Sequence, residues 1–288
     1  MTKKVTVAHS PDADDIFMYY AIKYGWVGQK NLTFENIALD IETLNQEALK
    51  NTYDATAISF ALYPFIKDEY ALLRTAVSFG EGYGPKLVKK KGTKLKRNFK
   101  VALSGAYTTN AMIFKAKYKD ARITYMNFLD IEQAVLDGIV DAGVLIHESI
   151  LTYSDELEVD AEIWDIWCEL AGGEKVLPLG GMALRRSIPI HRAIEIEDIL
   201  IKAVKVANSN KAILSKMLSE ANLVRVSEKT LEKYLNLYAN QNSICLNDEQ
   251  FESIDTLYKI GYDNSFFKEI INVKNYLIPK NYSEVRFG

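Results

Sequence analysis

The stretch KVALSGAYTTNAMIFKAKY, residues 100–118, decides how this chain folds. Val101-Ala102-Leu103 is a short apolar run of the kind that forms a buried strand. Ser104-Gly105 interrupts it, and Thr108-Thr109-Asn110 then opens a pattern with apolar residues at helical spacing. A strand that passes through a short polar turn into a helix is the building unit of α/β proteins.

The same rhythm extends in both directions. Apolar runs predict strands at residues 5–9, 32–39, 55–59, 72–78, 86–90, 100–104, 123–126, 142–147 and 179–185. Helical patterns lie between them at 16–24, 44–51, 109–118, 131–138 and 161–170. This alternation predicts largely parallel sheets with helices on both faces. Beyond residue 190 the pattern is helical, at 194–214, 228–237 and 248–260. Gly92-Thr93, within a basic stretch and just before a new strand, suggests a boundary near residue 95. The expected division is one lobe of residues 1–95 plus 200–288, with residues 96–199 inserted as the second lobe. A chain that crosses twice between lobes forms a hinge suited to closing on a ligand.

At 288 residues, 48% hydrophobic and 25% charged, the chain has the composition of a globular protein with sizeable cores. A net charge of −3 gives no long-range attraction to nucleic acid or anionic membrane. Two cysteines, Cys168 and Cys245, supply neither a disulfide framework nor metal spacing, and are read as small buried hydrophobes. Met1-Thr2-Lys3-Lys4 runs straight into the first strand without an apolar signal core or membrane-length segment, so a cytoplasmic location is expected.

In open α/β sheets, ligands bind beyond the carboxyl ends of the strands. Here those ends carry His9-Ser10-Pro11-Asp12-Ala13-Asp14-Asp15, Ser59, Ser104-Gly105 and His147-Glu148. Four strand ends thus deliver hydroxyls, carboxylates and an imidazole towards one crevice. Thr108-Thr109-Asn110 admits two readings: an anion site at a helix start, or a plain N-cap. Gly105 tips the balance towards a ligand, because glycine permits close backbone approach. Asp12, Asp14 and Asp15 precede a helix and read as caps that complement its dipole, with Asp15 also lining the cleft.

His147 is one of three histidines, with His9 and His191. A lone histidine is usually structural, but Gly143-Val144-Leu145-Ile146 places this one at the end of a buried strand. Imidazole titrates in the range suited to proton transfer near neutrality. Neither a nucleophile elbow nor metal-ligand spacing is present, so a base acting alone fits proton abstraction and elimination. The basic run from Lys86 to Lys100 contains no acidic residue. It lacks interleaved aromatics and is read as a solvated hairpin or hinge, with no nucleic-acid partner. Gly82-Tyr83-Gly84-Pro85 is a turn by composition, with Tyr83 as a wall of the cleft.

On these residues the chain resembles the 1,4-dihydroxy-6-naphthoate synthase family of the futalosine route to menaquinone. The landmarks are Ser10-Pro11 with Asp15 and Phe17, Ser59, Gly82-Tyr83-Gly84-Pro85, Thr108-Thr109, Leu145-Ile146-His147-Glu148 and Leu177-Pro178-Leu179-Gly180-Gly181. The resemblance implies the two-lobed fold of type 2 periplasmic binding proteins, with a ligand cleft between the lobes. It implies cleavage of cyclic dehypoxanthinyl futalosine, a carboxylated small molecule, to 1,4-dihydroxy-6-naphthoate without metal or organic cofactor. It assigns the proton acceptor to His147 and ligand contacts to Ala57-Ile58-Ser59 and Thr109-Asn110. The chain departs from the family where Ser-Pro-Cys-Pro-Asn-Asp-Thr-Phe is common, reading Ser10-Pro11-Asp12-Ala13-Asp14-Asp15-Ile16-Phe17, and where Asn110 replaces a small residue. Two alternatives share the fold: a transporter's solute-binding protein and chorismate dehydratase.

Overall fold

The computed structural model describes residues 3–29, 31–224 and 226–281. Its strands are β1 (Lys3–His9), β2 (Leu32–Ala38), β3 (Ala55–Ser59), β4 (Tyr70–Leu72), β5 (Ser78–Gly80), β6 (Lys86–Lys90), β7 (Lys100–Leu103), β8 (Arg122–Tyr125), β9 (Ala142–Leu145), β10 (Leu157–Glu162) and β11 (Leu177–Arg185). The helices are α1 (Ala13–Lys23), α2 (Ile41–Leu49), α3 (Tyr63–Ile66), α4 (Thr109–Lys117), α5 (Phe128–Leu136), α6 (Ile163–Ala171), α7 (Ile190–Ser209), α8 (Lys211–Glu220), α9 (Glu228–Tyr238) and α10 (Asp248–Asp263).

Two sheets form two lobes. The first has the order β2-β1-β3-β11-β4, with β5 also on β11; the second has the order β10-β6-β9-β7-β8. Each holds a parallel core of three strands, β2-β1-β3 in one and β9-β7-β8 in the other. The remaining pairings are antiparallel, so the sheets are mixed rather than largely parallel.

The lobe boundaries differ from a division at residues 95 and 200. β6 pairs with β9 and β10 and so belongs to the second sheet, while β11 returns to the first. The chain therefore crosses in segments 81–85 and 172–176. The basic composition around Lys91 marks a surface turn within the second lobe, not the crossing. The C-terminal helices do join the first lobe, where α7, α8 and α9 all pack on α1.

The single strand expected at 72–78 is two strands, β4 and β5. Between them Ala76 takes a left-handed backbone (φ 55°), and the Arg74 amide turns to Glu197. β10 was absent from the expected strands, and it answers the basic run. Glu162 meets Lys86 at 3.0 Å, and Asp160 meets Lys89 at 2.7 Å across the β10–β6 pair. Cys168 is half-buried and Cys245 is exposed, so the buried reading fails for the second. No helix among the described residues is long and apolar enough to cross a membrane.

The second lobe holds its functional strand end through close packing. β9 lies between β6 and β7, and α5 covers its face with Ile131 and Val135. A Cβ on Gly143 would stand 2.4 Å from Ile131 Cγ2 and 3.0 Å from Val135 Cγ2. Only glycine lets α5 approach this strand so closely. Gly143→Ala should therefore cost about 1–3 kcal/mol through overpacking. Thermal unfolding should show a lower midpoint, and an unchanged midpoint would mean that α5 has room to shift.

Candidate active site

The cleft between the lobes encloses about 720 Å³. Ser10, Asp15, Ala57, Ile58, Ser59, Thr108, Thr109, Asn110 and His147 all line it, brought together from both lobes. Tyr83 does not. Its hydroxyl donates to Leu237 O at 2.6 Å, and its ring packs edge-on against Tyr238 at 5.3 Å. Tyr238 is the wall, with Tyr83 behind it. Tyr234 and Tyr238, both from α9, also line the cleft. No local sequence pattern marked them, because only packing on α1 brings this helix to the site.

His147 begins a 3-10 turn directly after β9, in a left-handed backbone conformation (φ 54°). The edge of its ring meets Phe128, with centroids 4.9 Å apart. Nε2 lies 2.9 Å from Asp12 Oδ2. No well-angled hydrogen bond reaches this nitrogen, so the contact acts chiefly through charge. Burial alone would lower the imidazole pKa, but the Asp12 carboxylate outweighs it. With help from Glu148 and Asp14, it lifts the value to about 9.

The acidic residues before α1 are not simple caps. Asp12 occupies the N-cap position without a side-chain cap bond. Its carboxylate accepts instead from the Ser10 hydroxyl and faces His147. Asp15 Oδ2 accepts from the Ser10 amide at 2.8 Å. The first amide of the helix, Ala13 N–H, donates to Glu148 Oε1 of the other lobe at 3.0 Å.

Asp12, Asp14, Asp15 and Glu148 thus crowd around one imidazole and one helix end. A single cation and half a charge of helix dipole are outnumbered by these four carboxylates. Burial, with Asp12 and Glu148 adding repulsion against the pull of His147, raises Asp14 to about 6. Burial and Asp14 push Asp15 well above the carboxylate range. The Tyr234 hydroxyl donates to Asp14 Oδ1 at 3.3 Å.

His9 stands apart from this chemistry. Its Nδ1 donates to Ser10 O at 2.7 Å, its ring stacks on Tyr19, and burial lowers its pKa. It fixes the Ser10 turn. His191 is exposed near the start of α7.

The two readings of the α4 start divide between neighbours. Thr108 is the N-cap: its hydroxyl accepts from Ala111 N at 3.4 Å and donates to Gly105 O at 3.1 Å. Thr109 instead clasps the lobes, donating to Leu179 O at 2.8 Å and accepting from Ala61 N at 3.2 Å. Gly105 makes room for a protein group rather than for a ligand. A Cβ there would lie 2.1 Å from the Glu42 carboxylate, which also accepts from Tyr107 N at 3.3 Å. Ser59 is held by Asn45, whose carbonyl accepts from Ser59 N and whose amide donates to Ser59 Oγ at 3.1 Å. With its acceptor side filled, the Ser59 O–H is left to donate. Among the described residues, no group of three or more His, Cys, Asp or Glu side chains is arranged to hold a metal ion.

The family model described as "Menaquinone biosynthesis" matches residues 5–263. A 1,4-dihydroxy-6-naphthoate synthase of Thermus thermophilus is 27% identical over 250 residues, which is 86% of this chain and 90% of that protein. A second, from Streptomyces coelicolor, is 26% identical over 255 residues, or 86% and 89%. The crystal structure of an Archaeoglobus fulgidus protein superposes with a TM-score of 0.85 and 32% identity, covering 92% of this chain and 98% of that one. The aliphatic sulphonate binding protein of the Escherichia coli periplasm aligns with a TM-score of 0.67 over 98% and 94% of the two chains. At 12% identity it establishes the fold alone, which is that of periplasmic binding proteins. With the family model spanning both lobes and the cleft between them, the chain belongs to the menaquinone biosynthesis family.

Proposed function

We propose that this protein is a lyase that converts cyclic dehypoxanthinyl futalosine to 1,4-dihydroxy-6-naphthoate, with His147 as general base. The observation that carries this reading is an imidazole at the end of β9 that lines the cleft, in a chain similar to two synthases of that product. Removal of an acidic proton beside the substrate ketone starts the bond cleavage, and aromatisation of the bicycle drives it forward.

The cleft residues divide this work. Asp15, whose carboxyl burial and Asp14 push well above its ordinary range, lines the cleft as a candidate partner for the oxygen on which charge develops. The first amides of α4, at Thr109 and Asn110, have no intrahelical acceptor and lie at the positive end of the helix dipole. Together with the Ser59 O–H they hold the substrate carboxylate. Ala57 and Ile58 supply apolar wall beside Ser59. The purified protein should release the naphthoate from cyclic dehypoxanthinyl futalosine, detected by mass spectrometry. Absence of product from folded protein would sink the assignment.

Thr109→Val separates clasping from ligand binding. It removes two hydrogen bonds, each contributing about 0.5–1.5 kcal/mol net, so closure should weaken roughly tenfold to a hundredfold. Solution scattering without ligand should show a larger radius of gyration than the parent. An unchanged radius with weakened ligand binding would turn this hydroxyl from clasp to ligand contact.

A base must be neutral before it accepts a proton. His147 has a pKa raised to about 9, so it is mostly imidazolium at neutral pH. The raised pKa makes the neutral ring a stronger base but a scarcer one. kcat/KM should therefore climb with pH and level off near 9, well above the ordinary imidazole range. His147→Asn should lower the turnover of folded protein by about 10²–10⁴-fold. It should also lower the thermal midpoint, because the buried Asp12 carboxylate loses its cationic partner. Full turnover in that variant would move the base elsewhere.

A further inference from the structure

We propose that Asp12 is the positioning residue of His147: delivered from the opposite lobe when the cleft closes, it takes Nε2 and leaves Nδ1 to exchange the proton with substrate. The inference rests on the reading of His147 as base. Its starting point is the origin of the two partners. Asp12 follows β1 of the first sheet, and His147 follows β9 of the second. The two meet only across the lobe interface. The Ala13–Glu148 hydrogen bond beside them crosses the same interface, so the helix end and the 3-10 turn dock as one unit.

The nitrogens of His147 are not equivalent. Nε2 is buried against Asp12, whereas the side chain as a whole keeps 18% of its surface exposed. Asp12 is itself fully buried and is absent from the cleft lining. It therefore reaches the reaction only through the imidazole. A carboxylate 2.9 Å from Nε2 repels a lone pair there and attracts a proton. The neutral ring accordingly carries its hydrogen on Nε2 and its lone pair on Nδ1, the ring's other nitrogen.

The proton inventory closes on this assignment. Nδ1 accepts the substrate C–H proton, and the electron pair of that bond passes into the substrate. The imidazolium then carries hydrogen on both nitrogens, with Asp12 facing the Nε2–H throughout and staying unprotonated. This is the orienting role that a buried aspartate plays beside histidine in catalytic triads.

The other groups around the ring do not take this part. Asp14 hydrogen-bonds Tyr234 and lines the cleft, Asp15 holds the Ser10 amide, and Glu148 holds the Ala13 amide. Phe128 meets the ring in a T-shaped aromatic contact and carries no charge. When the lobes part, the ring loses its orienting charge. The base is then assembled only in a closed cleft, where water is excluded.

Nitrogen-15 NMR of histidine-labelled protein reads the tautomer and titration directly. Three histidine signals are expected, and His147→Asn identifies the relevant one. In the parent, His147 should titrate above the ordinary imidazole range and carry its proton on Nε2 when neutral. Asp12→Asn and Asp12→Ala should shift that titration down by at least about one pH unit. The acid limb of kcat should move down with it. Plateau kcat should fall at least about tenfold in Asp12→Ala with KM little changed, since Asp12 does not line the cleft.

A parent His147 that titrates at or below the ordinary range would overturn the proposal without any variant. So would Asp12 variants that fold but leave both the tautomer and the acid limb in place. Full turnover in His147→Asn would instead refute the base itself, and with it the positioning role. The NMR titration would still report whether the pair forms.

Discussion

The active cleft depends on a surplus of negative charge at one point of contact. Three aspartates on the first lobe and Glu148 on the second converge on His147 and the amino end of α1. Buried carboxylates without partners cost several kcal/mol each, so the arrangement survives only if each is answered. Asp12 is answered by His147 and the Ser10 hydroxyl, and Glu148 by the Ala13 amide. Asp15 is answered by the Ser10 amide, and burial with Asp14 pushes its carboxyl well above the ordinary range. Two of these answers come from the opposite lobe. Closing the cleft and satisfying the charges are therefore the same event.

Much of this was legible in the sequence, for a definite reason. The ends of β1, β3 and β9 were marked by apolar runs stopping at polar residues, and nine of the ten site residues expected from the sequence and the family resemblance line one cleft. The failures share a different cause. Asp12, Asp14 and Asp15 read as caps because a cap is the local use of a carboxylate before a helix. Their actual partners, His147 and Tyr234, lie 135 and 220 positions away in the chain. Gly105 read as a ligand cradle because the sequence does not place Glu42 against it. Tyr83 was one layer too deep, since the position of α9 is set by tertiary packing alone.

The misplaced lobe boundary has a local origin. Lys86–Lys90 reads as a strand but its partner was missed: Leu157–Glu162 is a poor strand by composition, although Leu157, Val159 and Ala161 alternate with Glu158, Asp160 and Glu162. That period of two is a strand signal that its acidic residues obscured. Its charges complement Lys86 and Lys89 on β6, so the most basic part of the chain finds part of its counter-charge within its own sheet. A run of lysines thus reports a strand pair here.

The proposed substrate is anionic and the cleft contains several carboxylates, yet the charges are distributed so that one wall attracts a negative group. Asp12 and Glu148 are buried behind the surface, burial and Asp14 push the Asp15 carboxyl well above its ordinary range, and His147 carries a positive charge below about pH 9. The opposite wall presents the amino end of α4, whose dipole favours negative charge, beside the donating hydroxyl of Ser59. The resulting field is directional. Under the proposed function it directs the substrate carboxylate towards α4 and Ser59 and leaves the opposite end of the ligand facing His147 and Asp15. Binding orientation and the placing of the proposed base therefore follow from one charge distribution. Asp12 and Glu148 are kept out of the cleft by burial, while Asp14 and Asp15 line it beside the imidazole that the cluster charges.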